Sequence, residues 1–114
     1  NGFVPETYFF LYDSEVGAGK IVGLFRVRHF LNDSLFWGSG HIGYIIHPEF
    51  RGRGYGTLGL KLAIDELKNM DDFVEDEIFL RCLRSNEASL KVMLKNGGNL
   101  HHQDDKYNYV RIKR

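Results

Sequence analysis

The sequence is notable first for what is scarce. It has one cysteine, two prolines and no excess charge of either sign. No apolar run approaches the ~20 residues of a membrane-spanning helix. A lone Cys82 excludes an internal disulfide framework and fits a reducing compartment, so a cytoplasmic location is expected. Fifteen basic and fifteen acidic residues cancel. No global field therefore steers the chain to nucleic acid or to an anionic membrane. No signal peptide, repeat, low-complexity tract or linker is visible. The first residues are Asn1-Gly2 rather than Met, and strand-like sequence follows within a few positions. An N-terminally truncated piece, or a front part outside this sequence, is expected. What is present suits one globular domain over residues 1–114. Apolar residues make up 43%, aromatics 14% and charged residues 26%, enough to bury a core without staples.

Along the chain, Thr7 to Tyr12 is aromatic and strand-like. Asp13 to Gly19 has a hairpin-loop composition. Lys20 to Phe30 reads as a long strand with Ile21, Phe25 and Val27 on one face by period two. Leu31 to Gly40 reads as a loop. His41 to His47 is a short apolar strand ended by Pro48. From Thr57 to Met70, Leu60, Ala63, Ile64 and Leu67 recur at helical spacing. Asp71 to Glu77 reads as an acidic loop, and Ile78 to Leu83 as a strand that buries Cys82 as a structural thiol. Asn86 suits an N-cap. Leu90, Met93 and Leu94 form a helical stripe, and Gly97-Gly98 stops it. Strands near Asn99 to His102 and Lys106 to Ile112 close the chain. His101 and His102 should point to opposite faces, so no metal site is expected.

This order predicts an α/β (α+β) fold. Its sheet is mixed and mostly antiparallel, with a central parallel strand-helix-strand crossover. The late strands leave edges on which a homodimer could form.

The most informative segment is Arg51-Gly52-Arg53-Gly54-Tyr55-Gly56 and Thr57, where an apolar strand passes through Pro48 into a helix. Glycines there permit positive φ and close backbone approach. Turn amides and a helix N-terminus together make a nest for phosphate oxygens. No Gly-x-x-x-x-Gly-Lys-Ser/Thr run exists, so the segment is not a P-loop. Gly54-Tyr55-Gly56-Thr57-Leu58-Gly59 spells a dinucleotide fingerprint. However, no acid ends the next strand, and the crossover units are too few for that fold.

Arg51-Gly52-Arg53-Gly54-Tyr55-Gly56, with His47-Pro48-Glu49-Phe50 before it, resembles the pyrophosphate loop of the GCN5-related N-acetyltransferases (GNAT). Asn86-Glu87-Ala88-Ser89, running to Gly97-Gly98, resembles that family's second cofactor segment. Together the two motifs span about half the chain. Family members usually begin with a strand and two helices that wall the acceptor site, and these are not found here.

The resemblance implies transfer of an acetyl group from acetyl-CoA to a primary amine of a small molecule or peptide by direct attack. A non-catalytic acyl-CoA-binding module is the alternative. It implies that Arg51 to Thr57 hold the pyrophosphate and that the pantetheine arm lies along Tyr44 to Ile46. Asn86 and Ser89 would contact the cofactor, and a backbone N–H near Ile45 or Ile46 would donate to the oxyanion. For the base, the family's glutamate position holds His41, with Tyr44 as second choice; histidine titrates at about 6.5. Where the family often has an acidic tyrosine, this chain has Met93, which has no proton to give. Water, Tyr107 or Tyr109 is left for that role. Trp37, in the Leu31 to Gly40 loop, could overhang the acceptor.

Overall fold

The computed structural model describes residues 4–114, so the Asn1-Gly2 start lies outside them. The elements are β1 Glu6–Asp13, β2 Lys20–Arg28, α1 Asp33–Phe36, β3 Ile42–Ile46, a 3-10 turn Pro48–Phe50, α2 Tyr55–Lys68, β4 Glu77–Leu83, α3 Glu87–Lys95, β5 Asn99–Gln103 and β6 Tyr107–Lys113. Apart from α1, the order is the expected one. In the 31–40 segment, Asn32 Oδ1 accepts the Leu35 amide at 2.9 Å and starts the single turn of α1. The apolar end of that turn packs Phe36 onto Phe79, with ring centroids 4.9 Å apart.

The strands form two antiparallel sheets, ordered β1-β2-β3 and β4-β6-β5. Residues on β1 alternate outward and inward, and Phe9 and Leu11 on its inner face pack against the core. Helix α2 fills the space beneath. Its Leu60, Ala63, Ile64 and Leu67 stripe is buried against Phe25, Val27, Ile42, Ile78, Leu80 and Met93. At Gly59 the helix meets the Phe25 ring so closely that a Cβ would collide with it. This one residue sets how near α2 lies to β2.

The crossover strands β3 and β4 are neighbours, but they share no ladder among the described residues. Their starts are stitched at a single point. The His41 amide donates to the Phe79 carbonyl at 2.8 Å, and the Phe79 amide donates to His41 Nδ1 at 2.9 Å. Gly40 permits this join, because its φ is +72° and a Cβ there would strike the Phe79 carbonyl. Farther along, β3 faces α3 instead of β4, and the Tyr44 hydroxyl lies 2.8 Å from Ser89 Oγ. The expected central crossover is thus present as a pair of strands that part company after one contact.

Cys82 is buried, as the strand pattern predicts. The two late histidines differ from expectation. A register shift between Leu100 and His102 breaks the alternation, and the two Nδ1 atoms lie 2.8 Å apart on an exposed surface. Among the described residues, no group of three or more His, Cys, Asp or Glu could hold a metal. Nor is any helix there long and apolar enough to cross a membrane.

Candidate functional site

The site is built where β3 runs out. Pro48 opens a 3-10 turn, whose first amide on Glu49 is capped by His47 Nδ1 at 3.2 Å. The chain then turns through Gly52 (φ +78°) and Gly54 (φ +85°) into α2. Both glycines adopt the left-handed region, and a Cβ at either would meet nothing within 4 Å. Backbone conformation, with open space around it, is what the sequence secures here. Gly54 is the N-cap of α2 and offers no side-chain acceptor. The first amides of the helix are therefore left for an anionic ligand. Arg51 braces the loop by donating Nε–H to the Ile46 carbonyl at 3.0 Å.

Opposite this loop stands α3. Asn86 caps it by accepting the Ser89 amide at 3.1 Å. Its far end is tied to the start of α2 through Asn96 Nδ2, which donates to the Thr57 carbonyl at 3.2 Å and the Val92 carbonyl at 3.0 Å. Between loop, β3 and α3 lies an open cavity of about 570 Å³.

The cavity brings together most of the residues singled out from the sequence. Tyr44, Ile45, Ile46, Arg51, Gly52, Gly54, Tyr55, Gly56, Thr57, Asn86 and Ser89 all line it. Arg53 and His41 are the exceptions, and His41 is taken up below. The Arg53 guanidinium lies over the Phe50 ring, 5.5 Å from the centroid. The Tyr55 hydroxyl turns away to donate to Asp13 at 2.6 Å, which pins the glycine loop to the β1–β2 hairpin. Sequence reasoning missed Phe50, Ala88, Lys91, Val92 and Lys95. The two lysines were accessible to it: four apart on a helix opened by Asn86, they share one face.

Backbone polarity completes the wall. The His47 amide donates to the Val22 carbonyl at 2.8 Å. Antiparallel alternation from that bond turns the amides of Tyr44 and Ile46 away from β2, toward the side on which β3 has no strand partner. Of the two amides considered as oxyanion donors, the one on Ile46 faces the cavity side and the one on Ile45 serves the ladder.

The expectation that His41 is a catalytic base is corrected. His41 is fully buried. Nδ1 accepts the Phe79 amide, so the proton sits on Nε2 and is donated to Glu75 Oε1 at 3.0 Å. Burial pushes its pKa below the usual 6.5 against the pull of Glu75. With both nitrogens committed and no exposure to the cavity, His41 is a structural clamp. Tyr44 is also unsuited to be a base. Burial raises its pKa, and its hydroxyl contacts Ser89, so it keeps its proton at neutral pH. Met93 is core. Tyr109 donates its hydroxyl to Asp104 at 2.6 Å, and Tyr107 lies under the Arg81 guanidinium. Neither lines the cavity.

The sequence model of the acetyltransferase (GNAT) domain family matches residues 5–99. No curated protein matches the sequence. Solved structures share the fold. The N-acetyltransferase PseH of Campylobacter jejuni aligns with a TM-score of 0.70 at 19% identity, over 96% of this chain and 68% of that one. A spermidine N-acetyltransferase of Vibrio cholerae, solved with CoA and spermine, aligns with a TM-score of 0.70 at 16% identity, over 95% and 65%. The aminoglycoside acetyltransferase AAC(6')-Ib, solved with coenzyme A and kanamycin, aligns with a TM-score of 0.68 at 17% identity, over 96% and 67%. The present chain thus spans about two thirds of the length of these neighbours.

Proposed function

Because this chain belongs to the acetyltransferase (GNAT) family, we propose that it moves an acetyl group from acetyl-CoA to a primary amine by direct attack. The observation that carries this reading is the cavity itself. It joins an uncapped helix start, two open left-handed glycines, two lysines and an unpaired strand edge. These are the separate needs of a ligand with a polyphosphate at one end and an amide-bearing arm at the other. Amides from Gly52 to Thr57, with Arg51, Lys91 and Lys95, take the phosphates. The amides of Tyr44 and Ile46 take the arm as a sheet edge takes a peptide. Asn86 lines the same path.

The donor supplies an activated thioester, and the chain supplies the rest. The Ile46 amide is the donor available to an oxyanion. Tyr44 lines the cavity with its hydroxyl next to Ser89 Oγ, and on that position it is assigned to donate to the departing thiolate. It takes the part that Met93 cannot play. Among the described residues, no histidine or carboxylate lines the donor cavity. Trp37, largely exposed at the end of α1, packs edge-on against Phe36, which itself lies on Phe79, and is assigned here to overhang the acceptor.

The melting temperature of the chain with and without excess acetyl-CoA, with NADH as control, tests the donor site. A ligand at about a hundred times its Kd adds ~2.7 kcal/mol, a shift of several degrees for a domain this size. A shift with acetyl-CoA that Gly54→Val abolishes supports the reading. A shift with NADH alone, or none, refutes it. The second reading, a donor-binding module without turnover, rests on the loss of the family's tyrosine at Met93. Release of free thiol on addition of amines separates it from the first.

A further inference from the structure

The face of the two sheets turned away from α2 and α3 has a charge pattern that the donor cavity does not use. On β2 and β3, Arg26 pairs with Gly43. The Arg26 guanidinium lies over that glycine, 3.6 Å from where its Cβ would stand. Its Nε is buried without a hydrogen-bond partner, and the Glu6 carboxylate lies 3.8 Å away. Across the parting, Arg81 of β4 pairs with Tyr109 of β6. Below them, Arg28 is buried and donates to the Gly40 carbonyl at 3.1 Å. Its pKa is lowered by burial first, and then by the positive charges of Arg26 and Arg81. Gly43, which faces Arg26, lies two residues past His41, and Arg81 lies two residues past Phe79, so the strand positions of the two arginines stand at the same level beyond the join. The carboxylates stand at the two margins: Glu6 beside Arg26, and Asp104, which accepts the Tyr109 hydroxyl.

With α2 and α3 closing one side of the β3–β4 parting, an acceptor must come from the other, between Arg26 and Arg81. We propose that the acceptor is an amine that also carries an anionic group, a phosphate or a carboxylate, held by Arg26 and Arg81. Guanidinia bind both groups through paired N–H donors, and the Arg26 side chain is part-exposed even though its Nε is turned toward Glu6. Gly43, having no side chain, lets the Arg26 guanidinium lie across β3 toward the parting. A polycation such as spermidine meets three positive charges there. This inference rests on the proposed donor reading, and the experiment keeps the two apart.

Acetyl-CoA-dependent thiol release is measured with O-phosphoethanolamine against ethanolamine, with glucosamine 6-phosphate against glucosamine, and with spermidine. Binding of the anionic amines in the presence of CoA is followed by calorimetry, independent of turnover. In at least one pair the anionic member should show a kcat/KM about tenfold higher than its neutral partner, with spermidine poorest. Arg26→Gln and Arg81→Gln should each weaken calorimetric binding of the anionic amine by about tenfold, with the acetyl-CoA melting shift retained. If neither pair favours the anion, or spermidine is the best acceptor, while acetyl-CoA still raises the melting temperature, the acceptor inference fails alone. Absence of any acetyl-CoA shift overturns both.

Discussion

His41 and Phe79 bond each other twice: amide to carbonyl in one direction, and amide to imidazole in the other. That reciprocal pair is the join between the two sheets, and the ring sits edge-on to Phe73 and Phe79. His41→Ala strands the Phe79 amide and Glu75 and leaves a cavity. It should cost about 2–4 kcal/mol, roughly ten degrees or more in melting temperature. A thermal melt decides this. A variant that melts like the wild type would show that the clamp is dispensable.

The same residue predicts a pH dependence. In the fold His41 is held neutral with a pKa below 6.5, whereas the unfolded chain takes up the proton near that value. The unfolded state therefore binds more protons as pH drops through 6.5, and stability falls with it until the folded pKa is passed. Melting temperatures between pH 7.5 and pH 5, at about half-unit steps, should decline below pH 6.5 in the wild type. The decline should be shallower in His41→Gln.

Gly59→Ala tests the α2–β2 contact. The added methyl collides with the Phe25 ring, and that ring is stacked on Tyr44 with centroids 5.3 Å apart. Overpacking of this kind costs about 1–3 kcal/mol. The displaced Tyr44 should also weaken donor binding, so both the melt and the acetyl-CoA titration are informative.

Lys91 and Lys95 should act on donor affinity. Replacing both with alanine is expected to raise the KM for acetyl-CoA about tenfold at low salt and less at high salt, because the contacts are charge-assisted and screened. An unchanged KM in low salt would remove them from the site.

Tyr44→Phe removes the hydroxyl facing Ser89 and leaves the ring packing in place. Loss of a proton donor predicts a fall in kcat of about a hundredfold or more with little change in the KM for acetyl-CoA. A thioester with a more acidic thiol leaving group should be less affected. Equal losses with both thioesters would point to a positional role.

The glycine loop and the Asn86 cap were legible in the sequence because each depends on its own few residues. Positive φ, a helix start and a cap are local matters. His41 was misread because its partners are remote, 34 residues away at Glu75 and 38 at Phe79. A histidine at the start of a strand looks the same whether it faces solvent or is clamped. Glu75 and Asp72, read only as part of an acidic loop, bind His41 and His29. In the 31–40 segment, Asn32-Asp33-Ser34 fits a turn and a helix cap equally well, and Phe36 meeting Phe79 decided between them. The parting of β3 from β4 was not foreseeable from crossover topology, which fixes direction but not pairing along the whole length.

That parting has a mechanical consequence. Each half of the molecule completes its own hydrogen-bonded sheet, and among the described residues the strands meet across the seam through one backbone bond and one imidazole bond. A molecule laid against the free edge of β3 would then act as a missing strand, a rivet as much as a reagent. Hydrogen exchange at the amides of Tyr44 and Ile46 should slow sharply when the donor is added and recover once it is washed away. The rigidity of the protein would in that case be highest with the donor in place, and would relax as it leaves.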